Sequence, residues 1–393
     1  MTIDFTDLQQ ISALTATQVA ALSYSSFPSE SISNISLTAI SGLPIEKLNV
    51  DQFAAITATQ AARLSYLQIS KITTKQLSVM SPEILNAIDA HSLAGLNLSA
   101  LPSDIISQLL PENISIITTS QIAALKSTQY SSLTEAQINI FNANQIGALK
   151  SVYLKLLDDS DITAINLTAL SGLTSASISA LSTSQIHALS NPQITKLSAN
   201  QINALSSAQI NALTNDQASQ LTSTQINSLK TASLKFLPTD DIAALDVNNI
   251  SGLMTQVIAG LSAVQISALT TDQIAKFNTA QINTLTSPQI AALTPDQIGQ
   301  FTASQLSALK PALLKSLPIA NISAINPNAI SGFTSLGMAG LTTEQLNALN
   351  SEQLAKLTPA QVSVLKPAQI TAFSDAIAGL SSLAIAALNK NNI

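Results

Sequence analysis

The chain alternates apolar and polar positions with a period of eight. Counted from Leu101 in steps of eight, positions 101, 109, 117 and onward to 373 form 35 sites, and every one is Leu, Ile or Phe. Five residues after each comes a second apolar site, as at Ile186, Ile194, Ile202, Ile210, Ile226 and Ile266, with Tyr130 and Ala218 the odd occupants. The consensus is L[ST]xxQIxA, and fixed-period self-similarity of this kind marks a repeat architecture. Upstream, a drifting register of Leu14, Leu22, Ile32, Ile40, Leu48, Ile56, Leu64, Ile72, Met80, Ile88 and Leu96 is followed by a five-residue step to Leu101. A longer period overlies the octad. Related segments begin at Leu149, Leu229 and Leu309, 80 residues apart, so ten octads make one duplicated unit.

Three features predict helix. Ser or Thr after the anchor, with Gln three residues later, forms a capping box in which hydroxyl and amide satisfy backbone N–H groups at a helix start; Thr294 with Gln297, Ser182 with Gln185 and Thr342 with Gln345 are examples. All 11 prolines within the strict register fall one to three residues after the anchor, as at Pro192, Pro288, Pro295, Pro311 and Pro359. Proline is tolerated there because the first helical turn leaves its N–H unpaired in any case. The same prolines forbid one continuous helix, so the chain restarts a helix in every octad. Each helix then carries one narrow apolar stripe, with Ile202 inward and Asn203 exposed. Helices of about five or six residues do not persist alone, so neighbours must supply the burial, which is the logic of a solenoid.

The expected fold is therefore an all-α solenoid of very short capped helices, one per eight-residue repeat. A β-solenoid is the alternative, opposed by abundant Ala, Leu and Gln and by only 11 glycines. Residues 1–100 read as degenerate octads and a candidate cap, 101–373 as the strict array with super-repeats from 149, 229 and 309, and 374–393 as its C-terminal end.

Composition sharpens this picture. Apolar residues are 46% but aromatics only 3%, so the core is built from Leu, Ile and Ala. Charged residues are 10%, against about 25% in ordinary domains, which leaves Ser, Thr, Asn and Gln to cover the surface. A net charge of −6 without long runs argues against a nucleic-acid partner, whose phosphates demand basic charge. The absence of cysteine excludes disulfides and thiolate metal sites. Mean hydropathy is positive at +0.33, yet a polar residue interrupts every few positions, so no membrane span is expected. The stretch "MTIDFTDLQQISAL" lacks the regions of a cleaved secretory signal; if secreted, the protein is expected to use another route or to lack its native leader here.

Candidate chemistry is sparse. His91 and His187 stand in different parts of the array, and His187 holds the variable position filled by Asn203 and Asn211 in later repeats, which reads as solvent-facing. Ser and Thr lack a repeated His and acid partner, so they read as caps. Asp158, Asp159 and Asp161 in "DDSD" resemble an oxygen-rich calcium loop, with Asp240 and Asp241 at the matching place one super-repeat later. The third copy, "LPIANI", has no acid, and the glycine-punctuated loop is missing; acids near helix starts account for them. The pairs Lys150 with Lys155, Lys230 with Lys235 and Lys310 with Lys315 recur at 80-residue spacing, either as a sparse basic row for an acidic partner or glycan or as solvated helix ends. No metal, cofactor or catalytic residue is assigned.

The nine residues "LTPDQIGQF" from Leu293 resemble the opening helix of a TAL effector repeat, but the 34-residue period, the base-reading pair and the charge of that DNA-binding family are missing. Over nearly its whole length the chain resembles the tandem "LTxxQIxAL" octad arrays of large bacterial surface or secreted proteins, described as adhesin-like or hemolysin-like. The glycine-and-aspartate nonapeptides of calcium-binding RTX proteins are absent. The resemblance implies surface repeats: a non-enzymatic stalk, spacer or multivalent surface, secreted or at the cell surface, meeting a protein or glycan surface or a second copy of itself. An intracellular scaffold for peptides or proteins is the alternative, and ice or crystal-surface binding would need a flat array. An enzyme is the least expected class, for want of a convergent set of groups.

Overall fold

The computed structural model describes residues 7–371 and 377–388. The last anchor, Phe373, lies outside them, as do parts of the segment 374–393. The chain divides into two compact units, Met1–Lys196 and Leu197–Ile393. Both are all-α: among the described residues there are short α- and 3-10 helices of three to six residues and no strand, which removes the β-solenoid.

The octad folds as its sequence dictates. In Leu197–Ala204, Ser198 is an extended N-cap with φ −69° and ψ 159°, and Ala199–Asn203 is the helix. Capping boxes close at Ser182 with Gln185, Thr294 with Gln297 and Thr342 with Gln345. Prolines sit in the first turn, as at Pro295, Pro311 and Pro359, or at the N-cap itself, as at Pro238 and Pro318. Each helix ends when the next anchor turns back on it: the N–H of Leu189 donates to the carbonyl of Ile186 at 3.2 Å. The apolar pair faces inward, with Ile202 1% and Leu205 6% exposed. Fully burying such a side chain contributes about 1.5–3 kcal/mol. Even the odd occupants conform, since Ala218 and Tyr130 are both sealed from solvent, and the Tyr130 hydroxyl accepts the backbone N–H of Lys150 at 2.6 Å.

Packing within each unit repeats every three octads. In the first unit Glu135–Ile140 lies between Pro111–Ile116 and Asp159–Ala164; in the second, Ala263–Ala268 lies between Thr239–Ala244 and Ser287–Ala292. One coil is therefore three octads, and each unit is built of three stacks of helices wound by a single chain. A helix touches its own stack above and below, as the nearest-neighbour logic requires.

The degenerate N-terminal register differs from its sequence reading. Ile32 and Ile40 are not anchors but second apolar sites, whose anchors are Ile35 and Leu43, because the Gln60 and Gln68 amides each bridge one such pair of carbonyls. Five-residue steps thus separate Leu22 from Phe27 and Leu43 from Leu48, in addition to Leu96 from Leu101. Near the latter two steps the chain shortens through 3-10 turns, Ile45–Lys47 and Leu98–Ala100, whose tighter winding absorbs the three missing residues.

Candidate interaction surface

The dominant polar feature is the octad glutamine, and it is buried. Gln281, 1% exposed, accepts the Asn278 N–H at 2.8 Å through Oε1. Its Nε2 donates to the carbonyls of Ile250 and Leu253, both at 2.8 Å, on the coil before. Gln185 does the same with Ser182, Leu154 and Leu157 in the first unit. The sequence accounts for the cap, but it placed glutamine on the surface. The structure corrects this: the connectors between helices leave carbonyls inside the stack, and buried carbonyls require donors. One amide ties helix start to coil junction in octad after octad.

The glutamine position changes in four successive octads of each super-repeat, and in the second of the four it holds Asp161, Asp241 and Asn321. Asn321 donates to the Leu293 carbonyl at 2.7 Å, 28 residues back. Asp161 accepts the Asp158 N–H at 3.0 Å; burial raises its pKa, opposed by that bond and reinforced by the charges of Asp158 and Glu135. Asp241 is 1% exposed. Its N-cap is Pro238, which has no N–H to give, and its Oδ2 is sealed without a partner. Burial, with the Asp240 charge behind it, pushes this carboxyl up to about 6.

The other sequence candidates are dispersed. Asp158 caps Asp159–Ala164, Asp159 accepts from the Ser184 hydroxyl, and among the described residues no three acids or histidines gather as metal ligands would. His91 rests against the Tyr66 ring at 5.9 Å, and His187 is on the surface. Asn203, expected to be exposed, is half-buried with a sealed, unpartnered Oδ1. In the second unit the lysine pairs form no row: Lys230 and Lys235 bound Thr231–Leu234, which stacks on Thr255–Gly260, whereas Lys310 and Lys315 bound Pro311–Leu314, which stacks on Ser335–Gly340. These are different stacks.

The last pair lines an open groove with the form of a binding surface. About 580 Å³ in volume, it crosses from Pro311–Leu314 to Ser335–Gly340, floored by Pro311, Ala312, Leu336, Ala339 and Gly340. Lys310, Lys315 and Lys366 stand around it. Leu336 is 70% exposed. Gly340 permits the close stacking beneath, since a Cβ there would lie 3.2 Å from the Pro311 carbonyl oxygen. Lys366 is 56 positions from Lys310 in sequence, so only the coil length reveals the group.

No helix among the described residues is long and apolar enough to cross a membrane. No curated protein matches the chain. The ALTTAQ repeat family model matches residues 192–223, 274–303 and 338–375. Octads and family matches agree that this is a tandem-repeat protein, similar over those three segments to the ALTTAQ repeat.

Proposed function

We propose that the protein is a non-enzymatic structural repeat protein, secreted or exposed at a bacterial cell surface, that serves as a stalk or spacer presenting a binding surface. The observation that supports this is the use of its polar groups. Hydroxyls cap helices, and the recurring amide is consumed in tying one coil to the next, so the side chains sequence would nominate for chemistry are structural. Repetition of one joint suits a protein whose length is its product. The octad arrays it resembles often belong to surface or secreted proteins, in keeping with this reading. An intracellular scaffold binding protein or peptide partners is the second reading, favoured by the groove at Lys310–Lys366. Fractionation of the native cells, with protease applied to intact cells, separates the two. Recovery in the medium or loss of the protein to external protease supports the surface role; full protection in the cytosol refutes it and leaves the scaffold.

A further inference from the structure

We propose that the groove floored by Leu336 and rimmed by Lys310, Lys315 and Lys366 is a docking site for an acidic peptide segment that carries a leucine-like side chain. The inference holds for either compartment named above.

Charge is the first argument. The chain is acidic overall, at −6, yet no Asp or Glu occurs between Asp296 and Glu344, or between Glu352 and Asp375, and the groove is drawn from those two stretches. Among the described residues an ion pair joins Lys71 to Glu46, whereas Lys310, Lys315 and Lys366 form none with a described carboxylate. Three uncompensated cations around one groove raise the local concentration of acidic ligands and select against basic ones.

Divergence among the super-repeats is the second. Where the third copy has Pro311, Leu336 and Lys366, the first has Ser151, Ala176 and Ser206 and the second Thr231, Gln256 and Thr286. The first two copies keep acids beside their lysines, at Asp158, Asp159, Asp240 and Asp241; the third has replaced them. Apolar floor and unopposed charge thus occur together in one copy. The floor is an open trough on stacked helices, suited to a chain laid across it with one apolar side chain against Leu336 and carboxylates toward the rim. Exposed lysines contribute modestly one by one, so affinity requires the floor and the rim together.

The test is fluorescence anisotropy on the full chain with a fluorescein-labelled ten-residue peptide of alternating Glu and Leu. Saturable binding is expected, weakened about tenfold or more by Lys310→Ala with Lys315→Ala and Lys366→Ala, and similarly by Leu336→Glu, while Lys230→Ala with Lys235→Ala leaves it unchanged. A peptide with Lys for Glu, or with Ser for Leu, is expected not to bind. All substituted residues are on the surface, and unchanged circular dichroism verifies folding. The proposal is overturned if the peptide does not bind, if both lysine sets weaken binding equally, or if the Ser-for-Leu peptide binds as well. Capture by vesicles containing anionic lipid without peptide binding, or a groove-dependent dimer in sedimentation that excludes the peptide, would overturn it in favour of those occupants.

Discussion

Asp241→Asn should stabilise the protein, and more so as pH rises. At this position other octads place an amide that donates to carbonyls of the coil before, and Asn321 shows that a short amide suffices, reaching Leu293 at 2.7 Å. Asp241 has no proton to donate when ionised, and Pro238 offers it no N–H. Its folded pKa of about 6 stands above its ordinary 3.8. Below pH 3.8 both folded and unfolded states are protonated and the acid costs nothing. Between 3.8 and 6 the unfolded state releases its proton first, so stability falls as pH rises, and above 6 the loss is constant. At about 1.4 kcal/mol per pH unit the loss is roughly 3 kcal/mol, or about 2 kcal/mol after screening by nearby water and salt. Asparagine removes this loss and can donate to the Leu213 carbonyl, worth about 1 kcal/mol more. Urea denaturation of both proteins followed by circular dichroism, from pH 4 to 8, reads the difference directly. Other carboxylates titrate equally in both proteins and cancel. A variant less stable than the parent at pH 8, or a difference that does not grow between pH 4 and 6, would refute the assignment of a buried, unpaired acid.

Four further outcomes follow from the same geometry. Ile202→Asp should cost several kcal/mol in chemical denaturation, as an unpaired carboxylate in the apolar stripe; Asn203→Asp should cost about 1–2 kcal/mol because its oxygen is sealed, and exposed Asn211→Asp should stay within about 0.5 kcal/mol. Gln281→Leu strands two carbonyls and an N–H and should cost about 2–4 kcal/mol, with Gln281→Glu worse above pH 6 because a charge then faces both carbonyls; equal stability of either variant and the parent would remove the coil joint. Deleting Leu261–Thr284, one whole coil, should lower the melting temperature less than deleting Leu205–Ala212, one octad, and both far less than deleting Leu205–Ala208, which breaks the eight-residue phase. Adding EDTA should leave the melting temperature unchanged; a fall would restore Asp158, Asp159 and Asp161 as metal ligands.

The sequence displays the octad, its cap and its restart because each is local: a hydroxyl, an amide and a proline at fixed offsets act within one turn. Ile202 and Leu205 are likewise legible, since an apolar pair three apart has only one way to face a neighbour. Coil length is not legible, because the partners of the Gln281 amide are carbonyls of Ile250 and Leu253, and every residue carries a carbonyl. The misplacement of Ile32 and Ile40 has a related origin. Both apolar sites of an octad accept isoleucine, so a five-residue step moves one series onto the other without an interruption in apolar character. The groove is hidden for the same reason as the coil: Lys310, Leu336 and Lys366 are neighbours only once three octads are known to make a turn.

That number bears on how the gene grew. Ten octads were copied, and ten is one more than a multiple of three. Between the second and third copies, both within the second unit, a copied feature therefore advances by one stack, a third of a revolution, as Lys230 and Lys310 show. Had selection favoured many identical contacts along one side, duplication by a multiple of three octads would have kept them in line. A ten-octad copy lengthens the protein while sending an inherited patch within one unit to a new bearing. Released from repetition, one patch was free to become something its siblings are not.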